Sequence, residues 1–247
     1  MEHRGCGLRL RHAPLVFVDP AGLFGRVEDT GAYGWALLTL LVLVMSIGYL
    51  EVQTGLIDRI VDQRTEASLA KIEKEQGHLV DRVELKERLE EARKTGAFLK
   101  RLTHLYVVGL KPSFLLGSLL LTASVLYAVV ALTGRKPEFH TLMSICVHAG
   151  LVLLMMHVVE FGMMVVYRRT EVSTSLGALG EGATAAVLSG VNPFRWWYWI
   201  LVGIGLAVTR QLSGRMAVVT CVLLCLVTSG FWVALAFASG GGMESGG

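Results

Sequence analysis

Residues Phe139–Tyr167, FHTLMSICVHAGLVLLMMHVVEFGMMVVY, contain no Lys or Arg, and Arg168 and Arg169 close the stretch. At about 1.5 Å rise per residue, roughly twenty such residues cross a hydrocarbon core of about 30 Å, so the stretch reads as a membrane helix. It is the only apolar segment with several ionisable side chains well inside it, His148, His157 and Glu160. It also stands in the middle of the chain, with two apolar segments on either side, and the others are expected to pack around it.

Upstream of it, Pro112 to Gly134 is uncharged and reads as segment two, with Lys111 close enough to an interface to snorkel. Arg135, Lys136 and Pro137 turn the chain into the central helix. Thr30 to Leu50 is segment one, with Tyr33, Trp35 and Tyr49 where interfacial aromatics belong. Between them, Glu51 to His104 holds eleven Lys or Arg and eleven Asp or Glu in 54 residues and no proline. That composition predicts a solvated helical insert, with one apolar stripe at Leu85, Leu89, Ala92, Gly96 and Leu99 and breaks at Gly77 and Gly96. It reads either as a hairpin offered to a partner or as two charged helices packed on each other. The first 31 residues form a tail whose only apolar run, Leu15 to Val18, is too short for a signal-peptide core. Within that tail, Leu23, Phe24 and Val27 share a helical face and predict a short interfacial helix.

Downstream, Thr170 to Asn192 is rich in Ser, Thr, Ala and Gly, too polar at its start to cross. Pro193 to Leu212 is segment four, opened by Arg195-Trp196-Trp197-Tyr198-Trp199 at an interface, with Arg195 reaching outward. Gly203 and Ala207 form a small-xxx-small pair that favours close helix packing. Met216 to Ala238 is segment five, and the glycine-rich tail 239–247 is expected to be disordered. The reading is all-α: an integral membrane bundle of five transmembrane helices spanning 32–238, with the charged insert 51–104 between helices 1 and 2.

Composition bounds the chemistry. Of 247 residues, 53% are hydrophobic and 17% charged, and the mean hydropathy is +0.56, which excludes an ordinary water-soluble domain. The net charge is +3, with no basic run interleaved with aromatics, so nucleic acid is not an expected partner. Cys146, Cys221 and Cys225 lie in apolar segments, where thiols act as small hydrophobes. No zinc spacing, nucleophile motif or phosphate-binding glycine loop occurs, and no cofactor or enzymatic activity is expected.

The polar candidates are therefore those of the central helix. His157 and Glu160 are three apart and share a face, whereas His148, nine residues before His157, points half a turn away. The pair fits either a proton-exchanging site of a carrier or a structural hydrogen bond to another helix. The five methionines at 143, 155, 156, 163 and 164 read as gap-filling packing rather than soft-metal ligands.

The stretch Val191-Asn-Pro-Phe-Arg-Trp-Trp-Tyr-Trp-Ile-Leu-Val-Gly-Ile-Gly-Leu-Ala-Val, followed by a basic turn and a last apolar helix, resembles the fourth and fifth segments of bacterial proteins of the Yip (Ypt-interacting protein) domain family. Glu138-Phe139-His140-Thr141-Leu142, Ser175-Leu176 and Ala21-Gly22-Leu23-Phe24 fit the same pattern, so the resemblance covers roughly residues 14 to 238. It implies a five-helix bundle with a cytosolic amino terminus and a carboxy terminus on the far side. Eukaryotic relatives bind small membrane GTPases in vesicle traffic, but their Asp-Leu-Tyr-Gly-Pro signature does not occur here. Some bacterial relatives are thought to accompany ABC-type exporters, and no catalytic residue carries over.

Short loops favour the same orientation. Arg4, Arg9, Arg11, Arg26, Arg135, Lys136, Arg210 and Arg215 then lie inside, against Arg168, Arg169 and Arg195 outside, while the basic residues of the insert argue the other way. The expected function is a non-enzymatic multi-pass protein of the inner membrane. It acts as scaffold, adaptor or regulator of a membrane complex such as an ABC-type transporter or trafficking machinery, with the bilayer and a membrane-protein partner or a second copy as contacts. The alternative is a small transporter or permease subunit that uses His157 and Glu160.

Overall fold

The computed structural model describes residues 12, 14–27, 33–76, 82–168, 173–180 and 182–238. The amino-terminal arginines, Cys6, the Gly77 break, Arg169, Glu171, Glu181 and the tail 239–247 lie outside the described residues. Every element among the described residues is a helix. By internal contacts the chain divides into two units, one of Met1–Leu43, Leu115–Glu160 and Val172–Gly247, the other of Val44–Phe114 and Phe161–Glu171.

Among the described residues, four helices are long and apolar enough to cross a membrane: Gly34–Gln53, the continuous run Arg82–Leu132, Phe139–Tyr167 and Gly214–Ala238. The fifth apolar segment is a shorter helix, Pro193–Val208, of 16 residues and about 24 Å. It stops earlier than the expected Leu212 because Thr209 caps it, its N–H and hydroxyl both donating to the Gly205 carbonyl, and Arg210 then turns at a φ of 60°.

In the first unit, α1 (Leu15–Val18) and α2 (Pro20–Phe24) lead the chain in, with Asp19 capping α2 through Gly22 N–H at 2.9 Å. Expected as an interfacial helix, α2 turns Leu23 and Phe24 inward, both fully buried, and packs on the Pro193–Val208 helix. The Gly34–Gln53 helix is α3. The core is α7 (Phe139–Ala149), in which every residue from Thr141 to Ala149 is buried. Gly150 passes it into α8 (Leu151–Tyr167) without breaking the backbone ladder, since its N–H reaches Cys146 O at 2.9 Å and its carbonyl accepts from Leu154 N–H at 3.2 Å. A short helix α9 (Gly182–Ser189) follows, and α10 (Pro193–Val208) packs on α7 and on α11 (Gly214–Ala238).

In the second unit, α4 (Leu56–Gln76) and α5 (Arg82–Leu105) pack as an antiparallel pair. Gly96, expected as a break, lies inside α5 and is buried. A Cβ there would collide with Thr65 of α4, so the missing side chain sets the approach of the two helices rather than ending one. The expected fresh start at Pro112 is also absent. A π-helical turn, Tyr106–Leu110, carries α5 straight into α6 (Lys111–Leu132). Proline lacks an N–H and its ring crowds the preceding turn; the widened turn accommodates it, and Ser113 Oγ donates to Gly109 O at 3.0 Å.

Candidate functional site

His157 and Glu160 lie on α8 within the first unit, His157 Nδ1 3.4 Å from Glu160 Oε2, with side chains 13% and 23% exposed. The spacing of three places both on one face of the helix. Glu160 Oε1 accepts from Thr174 Oγ1 at 3.1 Å, and Asn192 Nδ2 in turn donates to Thr174 Oγ1 at 2.9 Å. Asn192 also contacts Met156 Sδ at 3.6 Å, and its Oδ1 accepts from the N–H groups of Phe194 and Arg195, capping α10. Pro193 at the first helical position is pre-set for that start. A polar chain thus runs from α8 through the segment after it into the head of α10, and Leu176 N–H donating to Val191 O at 2.9 Å holds the same two strands of chain together.

Asn192 is 2% exposed, so its amide must be satisfied internally, and it is, on both ends. His157 Nδ1 is shielded from solvent and has no hydrogen-bond partner among the described residues, its distance to Glu160 lying within ion-pairing range but off the hydrogen-bond direction. Chemically the arrangement offers one carboxylate held by a hydroxyl and one imidazole beside it. Among the described residues no group of three or more His, Cys, Asp or Glu is placed to hold a metal ion.

His148 stands apart from the pair. Its Nδ1 lies 2.8 Å from the Ser144 carbonyl, a bond within α7, and 3.4 Å from Ser144 Oγ. Thr174 and Asn192 are the members of the site that the sequence reading missed. Asn192-Pro193 carries a readable helix-start signature; Thr174, fourteen residues past Glu160, carries none.

The small-residue pair faces α11. A Cβ on Gly203 would meet Cys221 Sγ at 3.4 Å, ordinary contact with α11, and Ala207 is half-buried. The tight approach is at Gly205, where a Cβ would come 2.6 Å from Ile145 Cγ2 in α7. Arg195, expected to reach outward, places its guanidinium 4.0 Å above the Trp232 ring, and Trp199 Nε1 donates to Thr228 Oγ1 at 3.2 Å.

The second unit has polar clusters of its own. Lys111 does not snorkel: its Nζ lies 3.0 Å from Glu51 Oε1, and the Glu51 side chain is only 5% exposed. Removing one partner of such a buried pair leaves a charge uncompensated, at a cost of about 3–5 kcal/mol. Gly48 makes room for the pair, because a Cβ there would strike the Val107 carbonyl in the π-helical turn. Between α4 and α5, His104 Nε2 is 2.8 Å from Asp58, while Lys100 Nζ is 3.2 Å from Asp62 and 3.6 Å from Asp58. The hydrogen bond to Asp62 raises the Lys100 pKa above its ordinary 10.5.

The chain matches the Yip1 domain over residues 15–235. Neither the curated proteins nor the solved structures include a match. With a domain match over most of its length and several helices built to lie in a bilayer, the protein belongs to the Yip1 domain family of multi-pass membrane proteins.

Proposed function

We propose that the protein is a non-enzymatic scaffold or adaptor of the inner membrane, with a cytoplasmic amino terminus and five crossings, the shorter α10 being the fourth. The charged α4–α5 hairpin engages the partner complex, an ABC-type transporter being the most concrete candidate. The observation that carries this reading is the use of Glu160: its carboxylate receives the Thr174 hydroxyl, and Thr174 leads to the cap of α10. A carboxylate tied in this way serves the bundle's own assembly.

The hairpin supplies the complementary half of the argument. Its two helices leave a groove of about 590 Å³ lined by Val61, Thr65, Ala92, Gly96 and Leu99 with Arg88 and Glu91 at its margins. Phe98, Leu102 and Leu105 add an exposed apolar row on α5 at spacings of four and three, on one helix face. Apolar surface on a solvated charged helix marks a docking surface for another protein.

The alternative, a permease subunit, is favoured by one observation, the buried Nδ1 of His157, which lies 3.4 Å from Glu160 and has no hydrogen-bond partner among the described residues. The double variant His157→Ala/Glu160→Gln separates the two. A scaffold keeps its co-purifying partner, because Gln still accepts from Thr174. A carrier loses substrate movement in reconstituted vesicles, and that loss with partner binding intact would sink the scaffold reading.

A further inference from the structure

We propose that the turn end of the first unit is a binding site for one anionic phospholipid, its headgroup on a platform of basic side chains and one acyl chain in the groove between α10 and α11. Two turns meet there, residues 133–138 between α6 and α7 and residues 209–214 between α10 and α11. Arg135 Nη1 donates to the Arg210 carbonyl at 2.6 Å, and Gln211 stitches the turns again, accepting from Glu138 N–H at 3.3 Å and donating to Glu138 Oε2 at 3.0 Å. The stitched turns carry Arg135, Lys136 and Arg210, and the first turn of α11 adds Arg215, against the single carboxylate of Glu138, which Thr141 and Gln211 already engage. The platform is therefore net positive, and its cations are exposed.

Arg210 turns at a φ of 60°, a conformation that favours glycine. The amino terminus of α11, which begins at Gly214 beside Arg215, adds its positive helix end to the same place.

The groove starts at this platform. It holds about 460 Å³, is almost wholly apolar, and runs from Gly214, Val218 and Ala207 past Gly203 to Cys225 and Trp199. It exists because Gly203, Ala207 and Gly214 contribute almost no side chain between two helices that otherwise carry large ones. From Ala207 back to Trp199 is about 12 Å along the helix, close to half of a hydrocarbon core of about 30 Å. An acyl chain entering beside the basic turn would lie along α10 through most of one leaflet. Charge selects the occupant: a neutral lipid fits the groove equally well but gains nothing from four cations, whereas an anionic headgroup is attracted by each basic residue near it.

The test is native mass spectrometry of the full-length protein released from micelles doped with phosphatidylglycerol or with phosphatidylcholine of the same chains. The expected result is preferential retention of one phosphatidylglycerol. That retention should weaken by roughly tenfold or more in Arg210→Gly/Arg215→Gln and disappear in Gly203→Phe, which fills the groove and leaves the platform intact. Arg210→Gly removes the charge while relaxing the backbone. If circular dichroism nevertheless shows a loss of helix, Lys136→Gln/Arg215→Gln removes two charges without touching the strained residue. Chainless glycerol phosphate should not be retained. Equal retention of the two lipids, retention of phosphatidylglycerol unchanged by the arginine variants, or a dimer whose formation Gly203→Phe abolishes would each overturn the proposal.

Discussion

Helices α7 and α11 are both apolar enough to belong in a membrane, yet nine of the eleven residues of α7 are buried and only three of the 25 in α11. Hydropathy therefore places both in the apolar phase without saying which faces protein and which faces lipid. Burial makes the distinction, down to the polar side chains. Thr141, Ser144 and His148 of α7 are all buried, Thr141 donating to Glu138 and His148 bonded to Ser144. In α11, Thr228 folds its hydroxyl onto the carbonyls of Leu224 and Cys225 of its own helix and accepts from Trp199 Nε1 of α10. With no water to satisfy them, polar side chains in both helices fold onto their own backbone, His148 on Ser144 and Thr228 on Leu224, so burial rather than the choice of polar partner separates α7 from α11.

The largest expected effect comes from breaking the comparison directly. Leu142→Ala in α7 empties a fully buried site and should cost about 2–5 kcal/mol in detergent unfolding. Leu226→Ala in α11, where the side chain is 63% exposed, should change stability by less than about 0.5 kcal/mol. Equal losses would mean that α11 is packed against protein. Glycines sharpen the contrast at the next level. Gly205→Ala pushes a Cβ into the stiff, branched Ile145 and should destabilise by about 1–3 kcal/mol, recovered in part by Ile145→Ala. Gly230→Ala in α11 meets nothing within 4 Å and should be neutral, or stabilising by up to about 1 kcal/mol from helix propensity.

Smaller again is the cap that joins α8 to α10. Asn192→Ala should cost about 0.5–2 kcal/mol, while Asn192→Asp keeps the acceptor for the Phe194 and Arg195 N–H groups and should retain part of that. The smallest effect lies in the hairpin, the charged counterpart to both membrane helices. Lys100 has a folded pKa above its unfolded 10.5, so its contribution is complete below that value and is lost as pH rises through the folded pKa. Circular dichroism melts of the hairpin helices should be flat in this respect from neutral pH to 10, with a fall above 10.5 that Lys100→Met removes.

Much of the fold was legible because length and hydropathy are properties of a segment by itself. The central helix, the solvated insert and the apolar runs follow from Phe139–Tyr167, Glu51–His104 and their neighbours without any knowledge of rotation. Facing is a property of pairs, and no single segment encodes it. Gly203 and Gly205 are two residues apart and about 200° around the helix, so which one meets α7 depends on an orientation that α10 alone does not encode. Lys111 finds Glu51 across sixty residues of sequence, and a lone lysine before a membrane segment reads as snorkelling until its partner is in place. Of the candidate site, His157 and Glu160 were found by their spacing, Asn192 was readable from the Asn-Pro helix start, and Thr174 had no local signal.

On the proposed function, the bundle holds itself together through Glu160 and reaches a partner through its hairpin. The most direct test is mass spectrometry of what co-purifies in mild detergent with the intact chain, with a chain lacking residues 58–101, and with His157→Ala/Glu160→Gln. The expected result is a stoichiometric partner that is lost with the hairpin and kept by the double variant. A partner that survives deletion of the hairpin, or the absence of a partner from all three together with transport that the double variant abolishes, would contradict it.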